Sequence, residues 1–417
     1  MAKKILVIDD SALMRRVISD IINSGNEYEV AAIAKDGVEG FDLIVSNPNL
    51  YSAVILDINM PKMNGLELLK ALQKNRIDQT VIVVSTVAKD GAKETIQALE
   101  YGAFDFVTKP ENYLETKSET FKEKIHQMLD VATSTRASIE RTSAASRSTV
   151  ARQTLVHPRM NESVSRMSER LSSIRGTQST KPHSETHHSD LKSTAINELR
   201  KKNEEAHVQA QKVDGQRFTG IKTGKHKLVA IASSTGGPKS LQQVIPMLPK
   251  NLDAAVVLVQ HMPAGFTASL AQRLNEMSEI TVKEAADGDV IEKGVAYIAP
   301  GGKHLRIVKS GSQNKIQLSD EPAVDGLRPC ANLMYESLER VDYDELTCVV
   351  LTGMGSDGTA GIKGLSARHK RMHVISQDEA TCIVYGMPKA LAQTGLVDEV
   401  LPLNQIAEAI TKNVGVS

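Results

Sequence analysis

Short apolar runs alternate with amphipathic stretches over the first 132 residues. Segments such as ALMRRVISDIIN and GLELLKALQKN carry apolar residues at helical spacing. Strands that alternate with helices are typical of a parallel sheet covered on both faces. The pattern therefore predicts an α/β domain over residues 1–132, closed by an amphipathic helix at about 113–132. The five predicted strands are KILVI, VAAIA, AVILD, TVIVVS and FDFVT.

The alternation stops between residues 133 and 225. This stretch is rich in Ser, Thr and charged residues, and Phe218 is its single aromatic residue. Such a segment cannot bury enough apolar area to offset its ordering entropy, which predicts a low-complexity, disordered linker with room for short helices around 162–174 and 195–212. We interpret its histidines as solvated polar residues rather than a metal-binding tract. They are His183, His187 and His188.

The α/β pattern returns after the linker and predicts a second domain over residues 226–417. Its strands are KLVAIA, AAVVLVQ, TCVVLTG, MHVISQ and VDEVLP. Two further stretches, ITVKEAADGDVIEKGVAYIAP and KHLRIVKSGSQNKIQLSD, contain short apolar runs joined by Gly-containing turns. They predict antiparallel strands inserted into this domain. The fold class is therefore α/β, with two doubly wound parallel-sheet domains.

Composition narrows the class of protein. A chain of 417 residues is too long for one ordinary core. Lys plus Arg and Asp plus Glu both number 50, so no basic excess points to nucleic acid or to an anionic membrane surface. The basic run at 368–371 is interpreted as a solvated loop, because no helix-turn-helix pattern surrounds it.

Three further features predict a soluble, cytoplasmic protein. The N-terminal MAKKILVIDDSA is predicted to be a first strand, not a signal peptide. No apolar stretch approaches the roughly 20 residues that span a bilayer. The odd number and wide spacing of Cys330, Cys348 and Cys382 fit reduced thiols rather than disulfides or a zinc site.

Polar residues follow the predicted strands of the first domain at the edge where their carboxyl ends meet. In an open parallel sheet, chemistry takes place outside these ends. Three crowded carboxylates repel one another unless a cation joins them, and Mg²⁺ is the hard ion that prefers such oxygen ligands. The central carboxylate could then accept a phosphoryl group whose charge the metal and the lysine neutralise. The residues are Asp9, Asp10, Asp57, Ser85 and Lys109.

These residues resemble the receiver domain of two-component response regulators, which has a flavodoxin-like fold. The resemblance covers about residues 1–130 and rests on the DD pair, LDINMPKMNG, VVST and the lysine after FDFVT. It implies that Asp57 accepts phosphate from a histidine kinase. It also implies that Ser85 and Lys109 contact the phosphate, and that the Asn59 carbonyl helps to bind Mg²⁺. Phe106 matches a position that responds to phosphorylation in the family.

The stretch AIASSTGGP at 230–238 is either a phosphate-binding loop or a turn that presents a hydroxyl. It lacks the glycine-rich dinucleotide, P-loop and hydrolase-elbow motifs. What remains is a strand, a polar turn and a helix with Pro238 in its first turn. Backbone N–H groups and the helix dipole would then face whatever Ser234 holds, which suits an oxyanion as well as a phosphate.

Two further residues favour the second interpretation of AIASSTGGP, a turn that presents a hydroxyl. His261 follows AAVVLVQ, and Asp357 lies in the glycine-rich turn after TCVVL. Neighbouring strands lie about 4.8 Å apart, so residues at their carboxyl ends can reach one another. Ser234 would attack, His261 would take its proton and Asp357 would orient the imidazole. Backbone N–H groups of the GMG run at 353–355 would approach the oxyanion.

The second domain resembles the catalytic domain of the chemotaxis protein-glutamate methylesterases, which is Rossmann-like. The motifs, in order, are IASSTGGP, VQHMPAGFT, AYIAPGGKH, LTGMGSDG and ATCIVYGMP, and they span about 226–410. The resemblance implies that Ser234, rather than Ser233, is the nucleophile, and it matches His261 and Asp357 to the other two catalytic positions.

The same resemblance places Thr235 and Met354 at the lining of the active site and its oxyanion pocket. Two positions depart from the family pattern, Ser233 where Gly-Ala often precedes the nucleophile and Ser356 where Asn is common. The linker is also longer than is typical of the family. None of these departures removes a residue of the triad.

The implied reaction is hydrolysis of glutamyl methyl esters on the cytoplasmic helices of methyl-accepting chemotaxis receptors. Some relatives also deamidate receptor glutamines. The implied partners are these receptors and a chemotaxis histidine kinase, so the protein would meet the membrane only at receptor arrays. The esterase reaction itself would need no cofactor. Two alternatives stay open, namely a second domain that only binds a ligand and hydrolysis of an unrelated ester or amide.

In the family the receiver covers the active site until it is phosphorylated, and the linker length predicts that this inhibition is weaker here than with a short linker, unless linker segments dock as well. A flexible tether of roughly 90 residues spans about 50–55 Å, and the effective concentration of a tethered domain falls with about the −3/2 power of tether length. We expect deletion of residues 140–215 to lower the basal esterase activity of the unphosphorylated enzyme. An unchanged or higher rate would contradict this prediction.

Overall fold

The computed structural model describes most of the two predicted domains. The predicted linker, with its helical stretches and its histidines, lies outside the described residues. The described residues are 2–86, 89–110, 118–134, 226–368 and 371–417.

The N-terminal part contains one five-stranded sheet in which all neighbouring strands are parallel, as predicted. The strand order is β2-β1-β3-β4-β5. Helices α2, α3 and α4 contribute to the core on one face, and α1 and α5 cover the other face. The elements are β1 (Lys3–Ile8), α1 (Ala12–Ile22), β2 (Tyr28–Ala34), α2 (Gly37–Ser46), β3 (Ala53–Asp57), α3 (Gly65–Lys74), β4 (Val81–Ser85), α4 (Lys89–Glu100), β5 (Asp105–Thr108) and α5 (119–134).

Two helices that follow strands of this sheet begin with side-chain caps. The Ser11 hydroxyl accepts a hydrogen bond from an amide in the first turn of α1. At the start of α3, Asn64 and Glu67 form a reciprocal capping box. Asp9 directly follows β1 and Asp57 ends β3, so both carboxylates lie at the carboxyl edge of the sheet.

The second sheet has seven strands in the order β14-β13-β12-β6-β7-β9-β8, and all neighbouring pairs are parallel. Buried residues form core clusters on both faces. The elements are β6 (Lys227–Ser233), α6 (Gly237–Val244), β7 (Ala255–Gln260), α7 (Phe266–Met277), β8 (Thr281–Glu284), β9 (Val295–Ile298), β10 (His304–Ser310), β11 (Gln313–Ser319), α8 (Ala331–Ser337), β12 (Glu345–Val350), α9 (Thr359–Ser366), β13 (Met372–Gln377), α10 (Met387–Ala392), β14 (Glu399–Leu401) and α11 (Leu403–Val414).

The prediction that ITVKEAADGDVIEKGVAYIAP forms antiparallel strands is wrong. Its two strands, β8 and β9, pair in parallel, and β9 lies between β7 and β8 in the main sheet. The connection at 285–294 is long enough to return along the sheet, and three of the four residues of β9 are buried, as in an interior parallel strand. Only β10 and β11 form the predicted antiparallel insertion.

The structure also bears on the predictions about membrane spans and cysteines. Among the described residues, no helix is long and apolar enough to cross a membrane. All three cysteines are free thiols, and Cys330 and Cys348 are buried.

Candidate active site

The first sheet brings three carboxylates and a lysine together at its carboxyl edge, as predicted. Lys109 Nζ lies 2.9 Å from Asp9 Oδ2 and 2.8 Å from Asp57 Oδ2. Carboxylate oxygens of Asp9, Asp10 and Asp57 lie within 4.8 Å of one another. Burial raises the pKa of Asp57, an effect that Lys109 opposes and Asp9 reinforces.

This cluster has the chemistry that a divalent cation needs. Its three carboxylates offer hard oxygen ligands. The buried Asp9 Oδ2 makes no hydrogen bond of regular geometry, although Lys109 lies nearby. The predicted contact of Asn59 with Mg²⁺ is through its carbonyl, and the predicted contact of Ser85 with phosphate is through its hydroxyl. The Asn59 side chain donates to Glu94, 3.0 Å away, and the Ser85 hydroxyl donates to the Gly91 carbonyl, 3.2 Å away. Ser85 would therefore have to leave that carbonyl to contact a phosphate.

Strand register places Ser234 beside His261 at the carboxyl edge of the second sheet. Ser233 and Gln260 are paired residues at the ends of β6 and β7, and the His261 amide donates to the Ser233 carbonyl at 3.1 Å. The Ser234 amide donates to the Thr352 carbonyl at 3.0 Å, which ties the turn to the end of β12. Each residue thus follows directly on its strand.

Asp357 contacts the histidine from the loop after β12. Its Oδ2 atom lies 2.8 Å from His261 Nε2. The same carboxylate accepts hydrogen bonds from the backbone amides of Ala331, Asn332 and Gly358 at 2.6–2.9 Å. A fifth donor, the Cys330 thiol, lies 3.2 Å away. The donors fix the carboxylate in one orientation against the imidazole.

The surroundings of Asp357 keep it ionised. Burial alone would raise its pKa, but the hydrogen bond and the charge of His261, with the amides of Ala331 and Asn332, outweigh burial and lower the pKa to about 2. An ionised carboxylate against Nε2 leaves the other ring nitrogen, Nδ1, to act on a hydroxyl.

Ser234 and His261 face one cavity of about 180 Å³, which Thr235 and Met354 also line. The Ser234 hydroxyl makes no hydrogen bond to any residue that the structure describes, and the Met354 side chain is exposed. The loops after strands of the second sheet therefore place the predicted Ser, His, Thr and Met residues around one space. A direct Ser234–His261 hydrogen bond is absent among the described residues.

Of the three amides in the GMG run, the amide of Gly353 is already bound to another backbone group. Its N–H donates to the Val384 carbonyl at 3.0 Å, because this segment bridges to the loop before α10. Within the described residues, the Thr235 and Met354 amides donate no hydrogen bond. Both residues line the cavity.

Residues of the first sheet also line this cavity. Asp105 Oδ2 accepts a hydrogen bond from the Gly236 amide at 3.1 Å, and Gly236 has a left-handed φ of 76° that suits glycine. The Phe106 ring stacks on Phe266 with 4.7 Å between centroids. Burial raises the pKa of Asp105 to about 6, although the amides of Phe106 and Gly236 oppose the rise.

An ion pair also joins the N-terminal and C-terminal parts of the chain. The Arg273 side chain donates to both carboxylate oxygens of Glu100, which joins α7 to α4. The contact between the two sheets therefore has a stacked aromatic pair, an ion pair and one carboxylate bound to the turn that follows Ser234.

Sequence reasoning missed two residues of this site, Asp105 and Gln260. Gln260 could have been found from its place at the end of the apolar run AAVVLVQ, because a polar side chain there, next to His261, needs hydrogen-bond partners. No local signal marks Asp105, because its partner lies 131 positions away in the chain.

Comparisons with known proteins agree with both resemblances. The family model described as CheB methylesterase matches residues 229–410, and the response regulator receiver domain model matches residues 5–119. A protein-glutamate methylesterase/protein-glutamine glutaminase of Pyrococcus horikoshii is 37% identical over 412 residues, which cover 99% of this chain and 93% of the relative. A Syntrophomonas wolfei relative named protein-glutamate methylesterase/protein-glutamine glutaminase 1 is 35% identical, with 98% of both chains covered.

Among solved structures, the CheB methylesterase catalytic domain of Thermotoga maritima is 42% identical. It covers 45% of this chain and 98% of its own, with a TM-score of 0.43. Family models and near full-length relatives together show that the chain belongs to the protein-glutamate methylesterase/protein-glutamine glutaminase family and joins a response regulator receiver domain to a CheB methylesterase domain.

Proposed function

We propose that this chain hydrolyses glutamyl methyl esters of chemoreceptors through Ser234, His261 and Asp357, and that phosphorylation of Asp57 activates it. The observation that carries the proposal is the 2.8 Å contact between His261 and an ionised Asp357, on a cavity that Ser234 also lines. Receptor glutamines are a second substrate, as the names of the relatives suggest. The same residues would release ammonia from them instead of methanol.

The reaction divides into two acyl transfers. Ser234 Oγ attacks the ester carbonyl carbon while His261 Nδ1 takes the hydroxyl proton, and Asp357 stabilises the imidazolium. The Thr235 and Met354 amides, which donate no hydrogen bond within the described residues, would donate to the developing oxyanion. His261 then gives its proton to the leaving methoxide, and methanol departs. Water attacks the acyl-serine by the same route and releases the glutamate carboxylate.

The receiver cluster would accept the activating phosphate. Asp9, Asp10 and Asp57, with the Asn59 carbonyl, would hold Mg²⁺, which when bound neutralises charge on the transferred phosphoryl group. Lys109 adds a positive charge within 3 Å of Asp57. A chemotaxis histidine kinase is the proposed phosphate donor.

The contacts of β5 with the second domain suggest how phosphorylation of Asp57 would affect the esterase site. Lys109 directly follows β5, the strand that carries both Asp105 and Phe106. Asp105 binds an amide two residues from the nucleophile, and Phe106 stacks on Phe266. A phosphate on Asp57 that draws Lys109 toward it would pull on this strand, weaken both contacts and open the cavity.

Methanol release from methylated receptor membranes tests this function. We expect acetyl phosphate with Mg²⁺ to raise the rate of the full-length protein by about tenfold or more, a gain typical of relieving a contact of one to a few kcal/mol. EDTA should abolish the rise, and an Asp57→Asn variant should keep only the basal rate.

Two results would contradict the proposal. Wild-type protein that releases no methanol, with or without the phosphodonor, would exclude the esterase. An Asp57→Asn variant that responds to acetyl phosphate as wild type does would exclude Asp57 as the phosphorylated residue.

A further inference from the structure

The side chain of Gln260 contacts both segments that carry the candidate nucleophile and the candidate base. It is the last residue of β7 and is 1% exposed. Its side-chain Nε2 donates to the Ser234 carbonyl at 2.9 Å and to the His261 carbonyl at 3.2 Å. One carboxamide therefore binds the backbone of both residues.

The orientation of this amide follows from its partners. Carbonyl oxygens only accept hydrogen bonds, so the NH₂ group must face the two carbonyls. On the other side, the Ser233 hydroxyl donates to Oε1 at 2.7 Å. Both side-chain donors and the acceptor of Gln260 are thereby used, and a flipped amide would place Oε1 against two carbonyl oxygens.

The fold reserves space for this amide. A Cβ added to Gly237 would lie 1.9 Å from Gln260 Oε1, so any larger residue at that position would displace the side chain. The Ser234 carbonyl also accepts the Gly237 amide at 2.7 Å, which holds the same peptide plane from the helix side.

The Ser234 side chain depends on its backbone for its position. Its hydroxyl has no hydrogen bond to the described residues, whereas His261 has Asp357 to orient its ring. The direction of the Ser234 Cα–Cβ bond is set by the peptide planes on either side, and Gln260 holds the one that follows. We infer that Gln260 is a positioning residue that fixes the Ser234 and His261 backbones in one register for proton transfer.

The inference rests on the proposed function, and it has a matched control in the same sheet. Gln377 ends β13 as Gln260 ends β7, is equally buried, and binds backbone groups of Thr352 and Thr381 rather than the carbonyls of the triad residues. Gln→Glu at either position replaces a buried amide with a carboxyl of the same shape. The two variants therefore share the burial penalty and differ in the triad contacts.

The test compares Gln260→Glu with Gln377→Glu in the phosphorylated full-length enzyme. We expect Gln260→Glu to lower kcat for methanol release by about 30-fold or more, with KM changed less than about threefold, because a carboxyl has at most one donor and cannot bind both carbonyls. Gln377→Glu should lose less than about threefold in kcat. A kcat loss no larger than that of Gln377→Glu, or a change in KM alone, would overturn the inference.

Labelling of Ser234 by a serine-directed organophosphorus fluoride gives a second readout that needs no receptor. Its rate should fall in Gln260→Glu in parallel with kcat, and a wild-type rate would overturn the inference. If Gln260→Glu does not fold, Ser233→Ala takes its place, since it frees Oε1 and should lower labelling by roughly three- to tenfold. An unchanged rate in Ser233→Ala would then overturn the inference. Failure of methanol release in the wild type would instead count against the proposed function, and the labelling comparison would still stand.

Discussion

Replacing Ser234 with alanine is expected to lower kcat for methanol release by at least about 10⁴-fold, because the acyl-enzyme can no longer form. The residual rate would come from the oxyanion donors and from substrate binding alone. Ser234 is half-buried, and its hydroxyl has no hydrogen bond to the described residues, so its removal should leave the melting temperature within a few degrees of the wild type. The measurement is single-turnover methanol release from methylated receptor membranes.

Ser233→Ala is the control for this variant, because Ser233 is the neighbouring hydroxyl of the same motif. It binds Gln260 from within the sheet and is fully buried. We expect it to keep at least about a tenth of the wild-type rate. A Ser234→Ala enzyme that keeps a rate similar to Ser233→Ala would exclude Ser234 as the nucleophile.

Replacing Asp357 with asparagine is expected to lower kcat by up to roughly 10⁴-fold, the loss found when a triad aspartate is replaced by asparagine. The carboxylate accepts from His261, from three backbone amides and from the Cys330 thiol. An asparagine has one acceptor oxygen, and its NH₂ group would face N–H donors. The imidazole would then lose both its orientation and the charge that stabilises its protonated form.

Asp253→Asn is the matched control, since Asp253 also sits in an ion-pair cluster of the second sheet, with Lys227 and Lys293. It should lose stability without a loss of kcat larger than about threefold. Equal kcat losses in the two variants would show that the Asp357 effect is structural.

The pH dependence of stability gives an independent check on Asp357. Its folded pKa of about 2 lies below the ordinary value of 3.8, so the carboxylate stabilises the fold fully above pH 3.8 and loses this contribution as pH falls toward 2. The shift corresponds to about 2 kcal/mol. We therefore expect the stability gap between wild type and Asp357→Asn, measured by urea unfolding, to be constant from pH 7 to pH 5 and to narrow by pH 3.

Much of the fold and the site follows from local patterns. The apolar runs of the first domain match its five strands, and the residue after each strand end falls at one edge because parallel strands share a direction. This rule alone placed Asp9, Asp57 and Lys109 together. It also placed Ser234 next to His261 through the register of β6 and β7.

The features that sequence patterns missed depend on longer-range geometry. A Gly-containing turn between two short runs does not reveal strand direction, so β8 and β9 were predicted as antiparallel when β9 inserts beside β7. The amide of Gly353 donates to the Val384 carbonyl, and no local sequence motif predicts this contact. Asp105 reaches Gly236 only because the N-terminal and C-terminal parts of the chain are in contact.

The central claim is that Ser234, His261 and Asp357 act as one catalytic unit. Residues that act as a unit have non-additive effects, because once one is lost the others have little left to contribute. The most direct test is therefore kcat for methanol release from the phosphorylated enzyme carrying Ser234→Ala, Asp357→Asn, or both. We predict that the double variant has the same kcat as Ser234→Ala within about threefold. A double variant whose loss is the product of the two single losses would contradict the claim.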